Sequence, residues 1–171
     1  RVYSDIFHTE ASLVRPIIVN GTHALTLTLM GILRPGDELI YCTGAPYDTL
    51  EEVIGIRGEG KGSLKEYGVT YKQVELTSDG NIDFDALKEA ISDRTKMITL
   101  QRATGYGWRK AIKIEEIEEW VKFVKNINPE IICMADNCYG EFLHVKEPTD
   151  VGVDIMAGSL IKNPGGGLAL T

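Results

Sequence analysis

Four short segments combine residue types that do chemistry with spacing that lets them act together. In "AGSLIKNPGGG", Ser159 and Lys162 form an S-x-x-K pair, and Lys162 lies between apolar Leu160-Ile161 and a Pro-Gly-rich run. That is a poor place for a solvated ammonium. A desolvated lysine amine loses basicity and becomes a good partner for a carbonyl carbon, which is Schiff-base chemistry. Serine acyltransferases also carry S-x-x-K, but their companion motifs are missing here, and a tight turn with a snorkelling lysine is the plainer alternative. In "MADNCYGEF", Asp136 ends an apolar run, with Asn137 beside it. A carboxylate in such a place stays charged only against a cation or strong donors, for instance a protonated ring nitrogen. An acidic turn after a strand is the alternative. In "VNGTHAL", Gly21 and Thr22 open a helix, where unpaired N–H groups and the helix dipole bind anions, unless Asn20 and Thr22 serve only as caps. Tyr47, in "GAPYDTL", offers a flat face to a planar ligand or else fills the core.

Other motifs point away from common chemistries. Residues 55–61 nearly match G-x-x-x-x-G-K, but Gly62 stands where Ser or Thr would hold magnesium and no strand leads into the loop, so a P-loop is not expected. His8, His23 and His144 lack metal-ligand spacing, so no metal site is expected; His23 follows Gly21-Thr22 and is placed to line the same crevice.

The elements that must position these residues follow from periodicity. Residues 22–33, "THALTLTLMGIL", are apolar on nearly all sides and read as a core helix. A Pro35-Gly36-Asp37 turn leads into a strand over 38–43, followed by strands at 70–76 and 96–101 around an Asp-capped helix at 83–91. Ile114, Ile117, Trp120, Val121, Val124 and Ile127 recur at helical spacing, with acids early and lysines late as the macrodipole favours. Strands at 131–135 and 154–158 end at Asp136 and near Ser159. Apolar strands alternating with helices predict an α/β fold, a mostly parallel sheet flanked by helices on both faces. In such sheets ligands bind at the carboxyl ends of the strands, which selects 43–47, 101–106, 136–139 and 159–162.

Composition narrows the function classes. The 171 residues are 43% hydrophobic and 25% charged, ordinary for one globular domain. Eighteen Lys plus Arg against twenty-five Asp plus Glu leave a net charge of -7 without a basic cluster, which argues against a nucleic-acid partner. No apolar run approaches the roughly 18 residues of a membrane span. Cys42, Cys133 and Cys138 are odd in number and lack C-x-x-C spacing, which fits a reducing cytoplasm. A start at Arg1 and an end within "GGGLALT" suggest a piece of a longer chain.

Taken in order, "NGTHAL", "PYDTLEEVIGIRG", "QRATGYGWR", "DNCYGEF" and "AGSLIKNPGGGLA" resemble the methionine gamma-lyase-like or aluminium-resistance family, which is related to the cystathionine beta/gamma-lyases among fold-type I pyridoxal-phosphate enzymes. The resemblance implies that residues 1–171 are the large-domain core of a fold-type I transferase, with an N-terminal segment and a C-terminal small domain lying outside them. It implies pyridoxal 5'-phosphate as cofactor, Lys162 as its covalent anchor and alpha-proton shuttle, and Asp136 as partner of the pyridinium nitrogen. By the same resemblance Gly21 and Thr22 through their N–H groups and Ser159 through its hydroxyl hold the phosphate, and Tyr47 stacks on the ring. Cys138 stands where relatives usually have Thr, and Asn20 where the family pattern has Ser; the role of Cys138 is open. Ala103 and Thr104 depart from the family's Gln-Arg-Ser-Arg-Gly-Tyr, leaving Arg102 and Arg109 as candidates for contact with ring or substrate. The implied reaction is elimination of a sulfur leaving group from an amino acid by a cytoplasmic homo-oligomer, a dimer or tetramer, with the isolated piece inactive. The alternatives are a pyridoxal-phosphate aminotransferase, or a non-catalytic phosphate-binding module using Gly21-Thr22 and the 58–62 loop.

Overall fold

The computed structural model describes residues 1–165; residues 166–171, the end of the motif around Lys162, lie outside the description. A five-stranded sheet forms the centre, with spatial order β2-β1-β3-β4-β5 and every pairing parallel. The strands are β1 (Glu38–Tyr41), β2 (Thr70–Gln73), β3 (Thr95–Gln101), β4 (Ile132–Asp136) and β5 (Ile155–Ala157). Because both faces are covered, the central strands are apolar runs, and successive side chains alternate between two cores. Leu39, Tyr41, Met97 and Met134 pack with Leu25 and Leu29 of α2 (Gly21–Ile32) and Leu50 and Ile54 of α3 (Asp48–Ile54). On the opposite face Ile40, Ile98, Leu100 and Cys133 pack with Leu87 of α4 (Phe84–Ala90) and with Ile117, Trp120 and Val124 of α5 (Ile114–Ile127).

Local signals explain the boundaries. The Asn20 side chain accepts the His23 N–H at 2.8 Å and starts α2; Asp83 accepts the Ala86 N–H at 2.9 Å and starts α4. The N-terminus adds a short helix, α1 (Val2–Ile6), and a 3-10 turn covers Pro148–Val151. Helix α3 is absent from the periodicity reading, since its seven residues carry only Leu50, Val53 and Ile54 as a stripe. It stops at Gly55, whose φ of 94° is left-handed and where a Cβ would lie 2.5 Å from Ser63 Oγ. The structure also corrects the picture of α2 as a helix buried all round. Leu25 and Leu29 are its buried residues, whereas Leu27 and Met30 are exposed, because the helix packs with one side against the sheet and α3. Among the described residues no helix is long and apolar enough to cross a membrane.

Candidate active site

All the selected segments meet at the carboxyl edge of the sheet, beside the point where strand order reverses between β1 and β3. Register explains the convergence: Gln101 pairs with Asp136, and Asp136 with Ala157, so β3, β4 and β5 end level with one another. The Asn137 N–H then donates to the Ala157 carbonyl at 2.8 Å and ties the two exits together.

Asp136 is 6% exposed and accepts the Cys138 N–H at 3.1 Å. Burial pushes its carboxyl up; hydrogen bonds from Cys138 and the charge of Lys162 offset part of that. Beyond β5, Ser159 closes a turn by accepting the N–H groups of Lys162 at 2.9 Å and Asn163 at 3.1 Å. The first turn of α2 approaches this turn closely. A Cβ added to Gly21 would lie 3.3 Å from Ser159 Cβ and 3.6 Å from Cys138 Sγ, so the glycine keeps the space between α2, β4 and β5 open. The first amides of the helix have no intrahelical acceptors, while the Thr22 hydroxyl pairs with Thr49 Oγ1 at 2.7 Å at the start of α3. A cleft of about 810 Å³ opens alongside, lined by Asn20, Ala24, Leu27, Glu141 and Ser159 among others.

The Lys162 ammonium lies over two aromatic rings, 5.4 Å from the Tyr47 centroid and 4.9 Å from that of Tyr139. Tyr47 in turn stacks on Tyr106, with centroids 5.4 Å apart and a 2.8 Å hydroxyl–hydroxyl hydrogen bond. That hydrogen bond is the main reason the Tyr47 phenol is pushed up to about 12. Burial likewise pushes the Cys138 thiol up, and the neighbouring Asp136 adds to it, so Cys138 stands in the cradle as a neutral thiol rather than a nucleophile.

The structure thus brings Gly21, Thr22, Tyr47, Asp136, Ser159 and Lys162 to one edge. It places other candidates elsewhere. Arg102, 3% exposed, spends its guanidinium on Asn137 Oδ1 and the Gly140 carbonyl, both at 2.8 Å, and stands 3.7 Å from Glu147. Arg109 donates to the carbonyls of Gln101 and Ala103. Both arginines pin loops instead of presenting charge to the crevice. His23 turns back, its Nδ1 accepting the Val19 N–H at 3.4 Å. The 58–62 loop packs on Glu52, Ser63 and Glu66, an acid-flanked surface turn distant in character from an anion site. The sequence announces no role for Tyr139 or Glu141, although Tyr139 lies in a selected strand-end segment; their positions depend on a left-handed turn that residue types alone do not reveal.

Comparison with known proteins bears on the family and the fold. The profile of the methionine gamma-lyase family matches residues 1–171. An uncharacterized protein of Bacillus subtilis is 57% identical over 171 residues, 99% of this chain and 41% of that protein. A Listeria innocua crystal structure, of a proposed cystathionine beta-lyase involved in aluminium resistance, superposes with a TM-score of 0.96 at 61% identity over 98% of this chain and 41% of its own. For a Clostridium novyi carbon-sulfur lyase involved in aluminium resistance the TM-score is 0.92 at 51% identity, over 97% and 40% of the two chains. The chain therefore spans about two-fifths of the length of these relatives. A Campylobacter jejuni structure of a proposed O-acetylhomoserine (thiol)-lyase, holding a pyridoxyl-lysine, shares the fold at a TM-score of 0.60 and 20% identity, over 84% of this chain and 31% of its own. The architecture is the one common to fold-type I lyases and aminotransferases. With its full length matched by one family profile, the chain belongs to the methionine gamma-lyase family.

Proposed function

We propose that this chain is the cofactor-binding core of a pyridoxal-phosphate-dependent carbon-sulfur lyase acting on a sulfur amino acid. The observation that carries the reading is the meeting of Lys162, buried Asp136 and the Gly21–Ser159 cradle at one sheet edge. The residues fit the group. The cradle is a space that a single Cβ on Gly21 would fill, bordered by a hydroxyl and by helix amides, which suits a phosphate dianion. Asp136 is a buried carboxyl with no basic side chain in ion-pair contact among the described residues, which suits a protonated ring nitrogen.

When bound, pyridoxal phosphate supplies an electron sink for negative charge at the substrate Cα. The chain's own residues do the rest. Gly21 and Thr22 through their amides and Ser159 through its hydroxyl hold the phosphate, and Asp136 keeps the ring nitrogen protonated. Its charge stabilises that proton most effectively because the site is dry and preorganised. Tyr47 covers one face and excludes water. Lys162 anchors the cofactor, and its amine is the base that takes the Cα proton of the substrate.

The test uses the full-length protein. Visible absorption is recorded, borohydride is added, and the pyridoxyl adduct is mapped by peptide mass. The expected result is an adduct on Lys162 that Lys162→Ala abolishes; a colourless protein with unmodified Lys162 after added cofactor overturns the reading. Products then separate the nearest rival, because a lyase releases ammonia, a keto acid and a thiol without an acceptor, whereas an aminotransferase requires an acceptor keto acid.

A further inference from the structure

The turn that carries Lys162 and the turn that carries Asp136 belong to different strand exits, yet one side chain joins them. Asn163 Nδ2 donates to the Glu141 carbonyl at 3.0 Å and to the Tyr139 carbonyl at 3.3 Å. Its backbone N–H meanwhile donates to Ser159, in the same turn as the N–H of Lys162. One residue therefore holds its own turn closed and grips the neighbouring one.

The acceptor side is built to be gripped. Tyr139 and Phe142 have φ of 68° and 63°, a left-handed state that residues with a Cβ seldom adopt. Such backbone persists only where its surroundings over-determine it. Here they do: the Gly140 N–H donates to the Asn137 carbonyl at 2.7 Å, and Arg102 clasps Asn137 Oδ1 and the Gly140 carbonyl from beneath. A Cβ on Gly140 would sit 2.6 Å from Arg102 Cδ, so the glycine is what allows the arginine this close. Between the two left-handed residues, the Tyr139 and Glu141 carbonyls are left within reach of a single amide group.

We propose that Asn163 is a positioning residue, clamping the Lys162 turn onto the Asp136 turn so that Lys162 Nζ is held between the Tyr47 and Tyr139 rings. A lysine has a four-carbon stem with free rotation, so the location of its amine is only as well defined as its Cα and the walls around it. The clamp supplies the first and, by fixing the Tyr139 backbone, part of the second. The proposal rests on the reading of Lys162 as cofactor anchor, and its test separates the two.

In the full-length protein, Asn163→Asp keeps the size of the side chain but replaces both donors with acceptors facing carbonyls. Asn163→Ala removes the group, and Asn163→Gln keeps the amide. Two quantities are measured: hydrogen exchange at the amides of Gly140, Lys162 and Asn163 in cofactor-free protein, and the rate at which Lys162 forms an imine with added pyridoxal phosphate, followed by absorbance and confirmed by borohydride mapping. In the Asp and Ala variants exchange should quicken at both turns together, leaving β1 and β3 protected, and the imine should form on the order of tenfold more slowly, as expected for a misplaced reacting atom. Asn163→Gln should recover part of the rate. Exchange that changes at neither turn, or at the Lys162 turn alone, with an imine rate within about twofold of wild type, overturns the clamp. If the Asp and Ala variants lose protection throughout the sheet, the Gln variant decides: wild-type exchange and a recovered rate support the clamp, and a folded Gln variant without that rate overturns it. Coupled exchange in a protein whose Lys162 never forms an imine supports the clamp and overturns the lyase reading.

Discussion

Glu141 shows most plainly how a single side chain can carry an unfavourable environment. It is 4% exposed and presses against the backbone of Gly158. Burial pushes its carboxyl up to about 7, with Asp136 and Glu147 adding to the effect and the amides of Glu141 and Ser159 offsetting part of it. In the unfolded chain the same group releases its proton near 4.5. The folded state therefore binds more protons between those values, so stability falls as pH rises through this window and is lowest above it. A shift of this size corresponds to about 3 kcal/mol. Glu141→Gln, which cannot ionise, should melt at a higher temperature than the wild-type full-length protein at pH 8, with the gap closing toward pH 4.5; parallel melting curves across that range would show that Glu141 does not titrate there. Residue type and strand-end position sufficed to single out Lys162, Asp136 and Ser159. They were silent on Glu141, whose chemistry comes from what surrounds it.

At the scale of elements, caps and packing decide what the sequence displays. The Asn20 side chain accepts the His23 N–H, which leaves the Gly21 and Thr22 amides at the open end of α2. Replacing it with Ala removes the cap and lets the first turn fray, so Asn20→Ala should cost about 1 kcal/mol in denaturant unfolding. Asn20→Ser, which can also cap, should lose little, and an equal loss in both would locate the effect outside the cap. Helix α5 was legible throughout, because five of its residues form one buried stripe over fourteen positions. Helix α3 was not, since seven residues give too few turns for a period to register, and its end depends on Gly55 meeting Ser63, a contact between separate segments. The periodicity reading carries β1, β2 and β5 one to three residues past their ends for a similar reason: apolar character continues past Tyr41 into buried Cys42, where the chain has left the regular ladder.

At the scale of the molecule the two cores do separate work. The core with α4 and α5 lies on the face of the sheet away from α2 and the cradle, and Trp120 fills its centre at 0% exposure. Trp120→Ala should therefore leave a large cavity and lower stability by about 3–5 kcal/mol. Formation of the pyridoxyl adduct on Lys162 should persist at temperatures where the variant is folded, because no site residue packs in that core. Measured together, denaturant unfolding and adduct yield check this; loss of the adduct in a folded variant would mean that the two faces are coupled.

What the sequence determined by itself was periodicity and chemistry type: apolar runs that must be buried on both faces, helices whose stripes match them, and a lysine, an aspartate and a glycine at the ends of those runs. These are local properties, readable because burial and capping act over a few neighbouring residues. Tertiary structure decided the order of strands, and with it which ends are neighbours. Only then do Gly21 and Ser159 meet, Arg102 and Arg109 turn inward to pin loops, Tyr139 face Lys162 and Asn163 bridge two turns. Such contacts join residues far apart in the chain, and their energies depend on register and on left-handed backbone that no single segment specifies.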